Sequence, residues 1–188
     1  MSDDLLFIDD EPVVGSPQAL ASWQVMIVDD EPAVHEVTRL VMSGFTFDGK
    51  GLSFIDCYSA GEAVAVLAAR KDIALILLDV VMETDTAGLE LARYIREELH
   101  NSNVRIVLRT GQPGQAPEEQ VIKTYDINDY KEKTDLTHGK LVTVFYASLR
   151  AYRDIMRLEQ ARTGLRRAIE AITEVYDSHN LRRFASAV

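Results

Sequence analysis

Short apolar runs, separated by charged and turn-forming stretches, divide the chain into alternating strand and helix signals. The strand signals are Val25 to Val28, Leu52 to Tyr58, Leu75 to Leu78, residues 105–109 and about 127–132. The four consecutive apolar residues Leu75-Ile76-Leu77-Leu78 have the pattern of a strand buried on both faces, in the middle of a parallel sheet. Between the runs the period becomes helical. Pro32 stands near the first turn of a helix that carries Val34, Val37, Leu40 and Val41 on one face. Ser59-Ala60-Gly61-Glu62 is a capping-box pattern opening a second helix through Arg70. Thr84-Asp85-Thr86 forms a loop before a third, with Leu89, Leu91, Ile95 and Leu99. Gln112 to Pro117 is a loop, followed by a short helix over 117–124. This alternation predicts right-handed crossovers and a parallel sheet, an α/β fold.

From Thr137 a helical pattern runs to about Asp177 without a proline. Leu141, Ser148, Ile155, Arg162, Ile169 and Tyr176 recur every seven residues, and Val144, Ala151, Leu158, Leu165 and Ile172 follow three places later. That is the a/d seam of a coiled coil with polar faults. Such a helix would reach roughly 60 Å. Gly164 weakens it by about 1 kcal/mol and is the place for a hinge or a hairpin.

Composition adds exclusions. A 47% hydrophobic and 27% charged chain is globular in type. Its single cysteine, Cys57, rules out an internal disulfide framework and suits a reducing cytoplasm. No apolar run approaches membrane length, and Met1-Ser2-Asp3-Asp4 lacks the basic start of a signal peptide. The net charge of −10 argues against a nucleic-acid partner. The charge is uneven: residues 1–12 hold five acids and no base, while 138–188 hold nine bases and five acids. Within the acidic start, Leu6-Phe7-Ile8-Asp9-Asp10-Glu11-Pro12 nearly repeats Met26 to Pro32. Gly15 and Pro17 interrupt any helix after the first copy, so it reads as a solvated tail and the second copy as the first strand.

The strand ends carry the candidate chemistry. Asp79 follows the central strand, where open α/β sheets place their ligands. Asp29 and Asp30 follow the first strand, Thr110 the fourth and Lys133 the fifth. Three carboxylates, a hydroxyl and an ammonium at one sheet edge point to a divalent cation, best Mg²⁺, with a phosphoryl group.

Val28-Asp29-Asp30-Glu31-Pro32, Leu78-Asp79-x-x-Met82, Thr110-Gly111 and Asp129-Tyr130-x-x-Lys133 together resemble the receiver domain of two-component response regulators. The resemblance covers about residues 23–150. It implies a flavodoxin-like, doubly wound five-stranded parallel sheet in the order 2-1-3-4-5, with the long C-terminal helix or coiled coil appended. With the tail and helix patterns above, the chain divides into an acidic flexible tail (1–22), a receiver (23–137), a signalling and dimerisation helix (138–177) and, where Leu181, Phe184, Ala185 and Val188 begin a new amphipathic pattern, the start of a truncated following domain (178–188). Asp79 would accept phosphoryl from a sensor histidine kinase or phosphotransfer protein. Asp30 would ligate Mg²⁺ directly, Asp29 partly through water, and Val81 through its backbone carbonyl, beside Asp79 itself. Thr110 and Lys133 would bind phosphoryl oxygens, Gly111 would leave room for the phosphate, and Tyr130 would be the aromatic switch.

Two positions depart from the family pattern: Glu83 and Thr134 stand where proline is common. The segments Met82 to Leu89 and Arg109 to Gln115 resemble a subgroup that joins such a receiver to a middle domain and often to a cyclic-di-GMP phosphodiesterase. No His-Asp metal motif or Gly-Tyr-Pro triplet is present, so that activity would lie beyond Val188. The expectation is a cytoplasmic regulatory domain, not itself an enzyme beyond its own phosphorylation and dephosphorylation, that dimerises through its C-terminal helix and binds neither nucleic acid nor membrane. The alternatives are a constitutive dimerisation module with an unused pocket and a receiver fused to a histidine-kinase phosphoacceptor helix opening at Ser178-His179. An aspartyl-phosphate phosphatase of the haloacid-dehalogenase type would want an aspartate where Val81 stands.

Overall fold

A computed structural model describes residues 22–111, 125–132 and 138–185, the side chains of 132 and 174–185 excepted. Five strands, β1 (Trp23–Val28), β2 (Leu52–Cys57), β3 (Ile73–Asp79), β4 (Arg105–Thr110) and β5 (Asp129–Glu132), form one sheet in the order β2-β1-β3-β4-β5. Every pairing is parallel. The helices are α1 (Pro32–Val41), α2 (Ala60–Ala69), α3 (Ala87–Glu97) and α4 (His138–Ala185). The expected loop at 112–117, the short helix at 117–124, Lys133 and the N-terminal repeat lie outside the described residues.

The central strand is buried along its whole length, as its unbroken apolar run requires. Its side chains alternate between two cores. Ile76 and Leu78 join Leu67, Leu91 and Ile95 under α2 and α3, whereas Leu75 and Leu77 join Phe145 and Leu149 under α4. Burying each such side chain contributes about 2 kcal/mol. Ser59 caps α2 as the sequence predicts, its hydroxyl accepting from the Glu62 N–H at 3.1 Å, while Glu62 reaches back one residue beyond the cap, to the Tyr58 N–H at 2.7 Å.

Helix α1 corrects one expectation. Its buried positions are His35 and Thr38, with Met42 just beyond, while Val37 and Leu40 are 58% and 74% exposed. Two polar side chains point inward because each has a partner at the carboxyl edge of the sheet, and those partners outweigh the apolar stripe.

Helix α4 corrects another. Leu141, Val144 and Ser148, assigned by their spacing to an intermolecular seam, are buried with Phe145, Leu149 and Tyr152 against the sheet. The seven-residue repeat therefore serves the receiver core first. Tyr152 packs edge-on against Trp23 at the start of β1, and Asp48 pairs with Arg157 at 3.3 Å. Beyond Met156 the helix thus leaves at the edge opposite Asp79, and it runs unbroken through Gly164. There Leu158, Leu165, Ile169 and Ile172 are all more than half exposed.

Candidate functional site

The sheet register assembles the site. Val28 pairs with Leu78, and Asp79 pairs with Arg109. Asp29, Asp79 and Arg109 therefore stand in one row across β1, β3 and β4. Each lies two residues beyond a side chain of the α4 core (Ile27, Leu77 and Val107), so strand alternation sends all three to that same face. All three are buried, at 1%, 3% and 8% exposure, and Thr110, next on β4, is buried too.

The first strand delivers its acids through a tight turn. The Asp29 N–H donates to the Cys57 carbonyl at 3.1 Å, extending the β1–β2 ladder by one rung. Its Oδ1 accepts from the Glu31 N–H at 3.0 Å, which folds the chain back. Carboxylate oxygens of Asp29, Asp30 and Glu31 all come within 4.8 Å of one another. Glu31 is an acid that the sequence reading left out. Asp79 lies outside that group of three but in the same row as Asp29, on the neighbouring strand; all these donors are oxygen, the set that suits a hard divalent cation better than zinc or copper.

Asp79 ends β3, and its Oδ1 accepts from the Val80 N–H at 2.8 Å. The following loop is held at three points. The Val80 N–H also donates to the Arg109 carbonyl at 3.0 Å, and the Gly88 N–H donates to the Val80 carbonyl at 3.0 Å. At Glu83, where the family commonly has proline, the carboxylate accepts from the Ala60 N–H at 2.8 Å and ties the loop to the start of α2. Val81, proposed to offer its carbonyl, is half-buried within this loop. Gly111 follows β4 at the surface, and Tyr130 on β5 packs partly buried against the α2–α3 core.

Further contributors escaped the sequence reading. His35 is 2% exposed; its Nε2 donates to the Asp29 carbonyl at 2.8 Å and its Nδ1 lies 2.9 Å from Asp56. Arg39 also pairs with Asp56, and the His35 ring stacks on Tyr58 at 4.5 Å. Arg109 donates from Nη1 to the Thr38 hydroxyl at 3.3 Å. Burial lowers the pKa of that guanidinium, against the pull of Asp29, then Asp79 and Glu31. Gly88 lets the start of α3 lie against Asp79. The available signal was a polar residue interrupting an apolar pattern, as Arg109 does after Ile106-Val107-Leu108. Cys57 is no nucleophile: burial, with Glu62 and Asp56 nearby, pushes its thiol up to about 11.

Comparison with known proteins places this geometry. Over 166 residues, 88% of the chain, it is 54% identical to the 3'3'-cGAMP-specific phosphodiesterase 2 of Vibrio cholerae serotype O1, and it spans 32% of that protein's length. The fold matches a CheY-like receiver domain from Methanospirillum hungatei (TM-score 0.57, 19% identity, 71% of this chain and 98% of that one). It also matches the receiver domain of an HD domain-containing protein from Pseudomonas fluorescens (TM-score 0.59, 18% identity, 71% and 99%). Among the described residues no helix is long and apolar enough to cross a membrane. A model described as a domain of unknown function (DUF3369) matches residues 145–188, from within α4 onward. The response regulator receiver domain model matches residues 25–143, most of the chain and every strand that builds the acidic edge, and the chain belongs to that family.

Proposed function

We propose that Asp79 is the phosphoacceptor of this receiver. A carboxylate oxygen attacks the phosphorus of a phosphohistidine on a sensor kinase or phosphotransfer protein. The new O–P bond forms as the N–P bond breaks, and the departing imidazole takes up a proton. The observation that carries this reading is the buried position of Asp79 at the carboxyl end of the central strand, in one row with Asp29 and beside Thr110. Asp29, Asp30, Asp79 and the Val81 carbonyl would hold Mg²⁺, with Glu31 close enough to join them through water. Bound there, Mg²⁺ would offset the repulsion between carboxylates and phosphoryl oxygens. The Thr110 hydroxyl would donate to a phosphoryl oxygen, and Lys133, by the family resemblance, would pair with Asp79 before transfer and with the phosphoryl group after it. Gly111 leaves the approach open, and Tyr130 follows the new position of Thr110.

The signal leaves through α4. Its far half carries exposed apolar residues at seven-residue spacing, Leu158, Leu165 and Ile172 beside Ile169, a pattern that favours pairing with the same helix of a second copy in parallel. In a longer cytoplasmic protein this pair would act on an output domain after Val188. The relative's activity supports a phosphodiesterase for cyclic dinucleotides there.

The test is covalent labelling of the whole chain with acetyl phosphate, read by intact mass. A gain of one phosphoryl group that needs Mg²⁺ and disappears in Asp79→Asn is expected. Labelling that persists at wild-type level in Asp79→Asn overturns the assignment.

A further inference from the structure

Arg109 is a charged side chain in the interior with little to hold it. It is 8% exposed, among the described residues its side chain makes one hydrogen bond, to the Thr38 hydroxyl, and its Nε has no hydrogen-bond partner. Thr38 gives its own proton to the Val34 carbonyl at 2.7 Å, so its oxygen serves Arg109 as acceptor. Among the described residues no carboxylate lies within ion-pair distance of the guanidinium. A buried cation of this kind is costly unless negative charge lies nearby. That charge is in the same row of the sheet: Asp79 is its cross-strand partner, and Asp29 stands one strand further on.

We infer that Arg109 is a positioning residue for the phosphoacceptor, an internal cation that opposes metal binding in the acidic pocket and favours the phosphorylated form. The inference rests on Asp79 being the phosphoacceptor. In a buried site, charges several ångströms apart interact with little screening. A guanidinium behind the acids therefore repels an incoming Mg²⁺. A phosphoryl group adds negative charge to Asp79, and the same guanidinium attracts it. The dependence of Arg109 on Asp29, Asp79 and Glu31 for its own charged state agrees with this placement. Anchorage to Thr38 on α1 keeps the cation behind the carboxylates and off them.

The whole chain is titrated with Mg²⁺ alone by calorimetry, and then with fluoroberyllate at saturating Mg²⁺. Arg109→Met is expected to bind Mg²⁺ roughly threefold to tenfold tighter and fluoroberyllate weaker by a similar factor. Arg109→Lys keeps the charge and should restore both toward wild type. A general disturbance of the pocket would weaken both ligands, so two changes in the same direction, or none, overturn the inference. If Arg109→Met fails to fold, Thr38→Val decides: a guanidinium released from α1 swings toward the acids and weakens Mg²⁺, whereas unchanged affinity overturns the proposal. Wild-type protein that takes up neither probe overturns the phosphoacceptor reading itself, and with it this inference.

Discussion

Gly88 lies so close to Asp79 that a Cβ on it would stand 1.9 Å from the Asp79 carbonyl oxygen. The obstacle is backbone, which cannot rotate away. The approach brings the first turn of α3 against the end of β3 and fixes where the loop from Val80 to Thr86 begins and ends. Gly88→Ala is expected to cost about 3 kcal/mol. Urea denaturation measures this, and a variant as stable as wild type would show that the contact relaxes freely.

His35 joins the acidic turn to β2 through a buried bond to the Asp29 carbonyl and a part-buried contact with Asp56. His35→Gln should lose about 1–3 kcal/mol, the cost of leaving buried polar groups without a partner. It should also weaken Mg²⁺ binding, because the Asp29 carbonyl loses its anchor. A double-mutant cycle with Asp56→Asn is expected to show coupling; independent, additive losses would place His35 outside the site.

Val81 stands two residues after Asp79; if Asp79 carries the phosphoryl group as proposed, it would flank the path of the hydrolytic water, and a valine side chain would offer that water no hydrogen bond. Slow self-dephosphorylation is expected, and Val81→Asn should accelerate it severalfold. The decay of labelled protein measured over time settles the point, with an equal half-life counting against it.

Cys57 gives a pH dependence of defined sign. Its folded pKa is raised from the ordinary value of 9.0 to about 11, chiefly by burial, so the native state favours the neutral thiol. That contribution is complete below pH 9 and is lost as pH rises toward 11, because the unfolded chain ionises first. Thermal midpoints should fall less steeply over this range in Cys57→Ala than in wild type. Parallel curves would remove Cys57 as the cause.

The exposed stripe on α4 makes a prediction about assembly. Arg162 is a polar fault in the seam, 79% exposed on its side chain. Arg162→Leu should tighten self-association and Leu165→Lys should abolish it, as sedimentation would show. A wild-type monomer at high concentration would dismiss the paired helix.

The sequence alone pointed to a parallel sheet and to most of the acidic edge, with the strand order supplied by the family resemblance. The unbroken run Leu75 to Leu78 has the pattern of a strand covered on both sides, and alternation with stretches of helical period points to a parallel sheet. Four motifs at strand ends then marked Asp29, Asp30, Asp79 and Thr110, because strand order brings strand ends together without regard to side-chain detail. Tertiary structure alone decided which face each helix buries. Periodicity ranks positions by apolarity, so it turned Val37 and Leu40 of α1 inward, whereas the chain buries His35 and Thr38 to serve Asp29, Asp56 and Arg109. It also assigned Leu141 and Val144 to a partner helix, since a seven-residue repeat has the same form whether the surface it meets is another chain or the chain's own sheet. The place of Arg109 in the row with Asp79 came from strand register, a property of paired strands that no single segment carries.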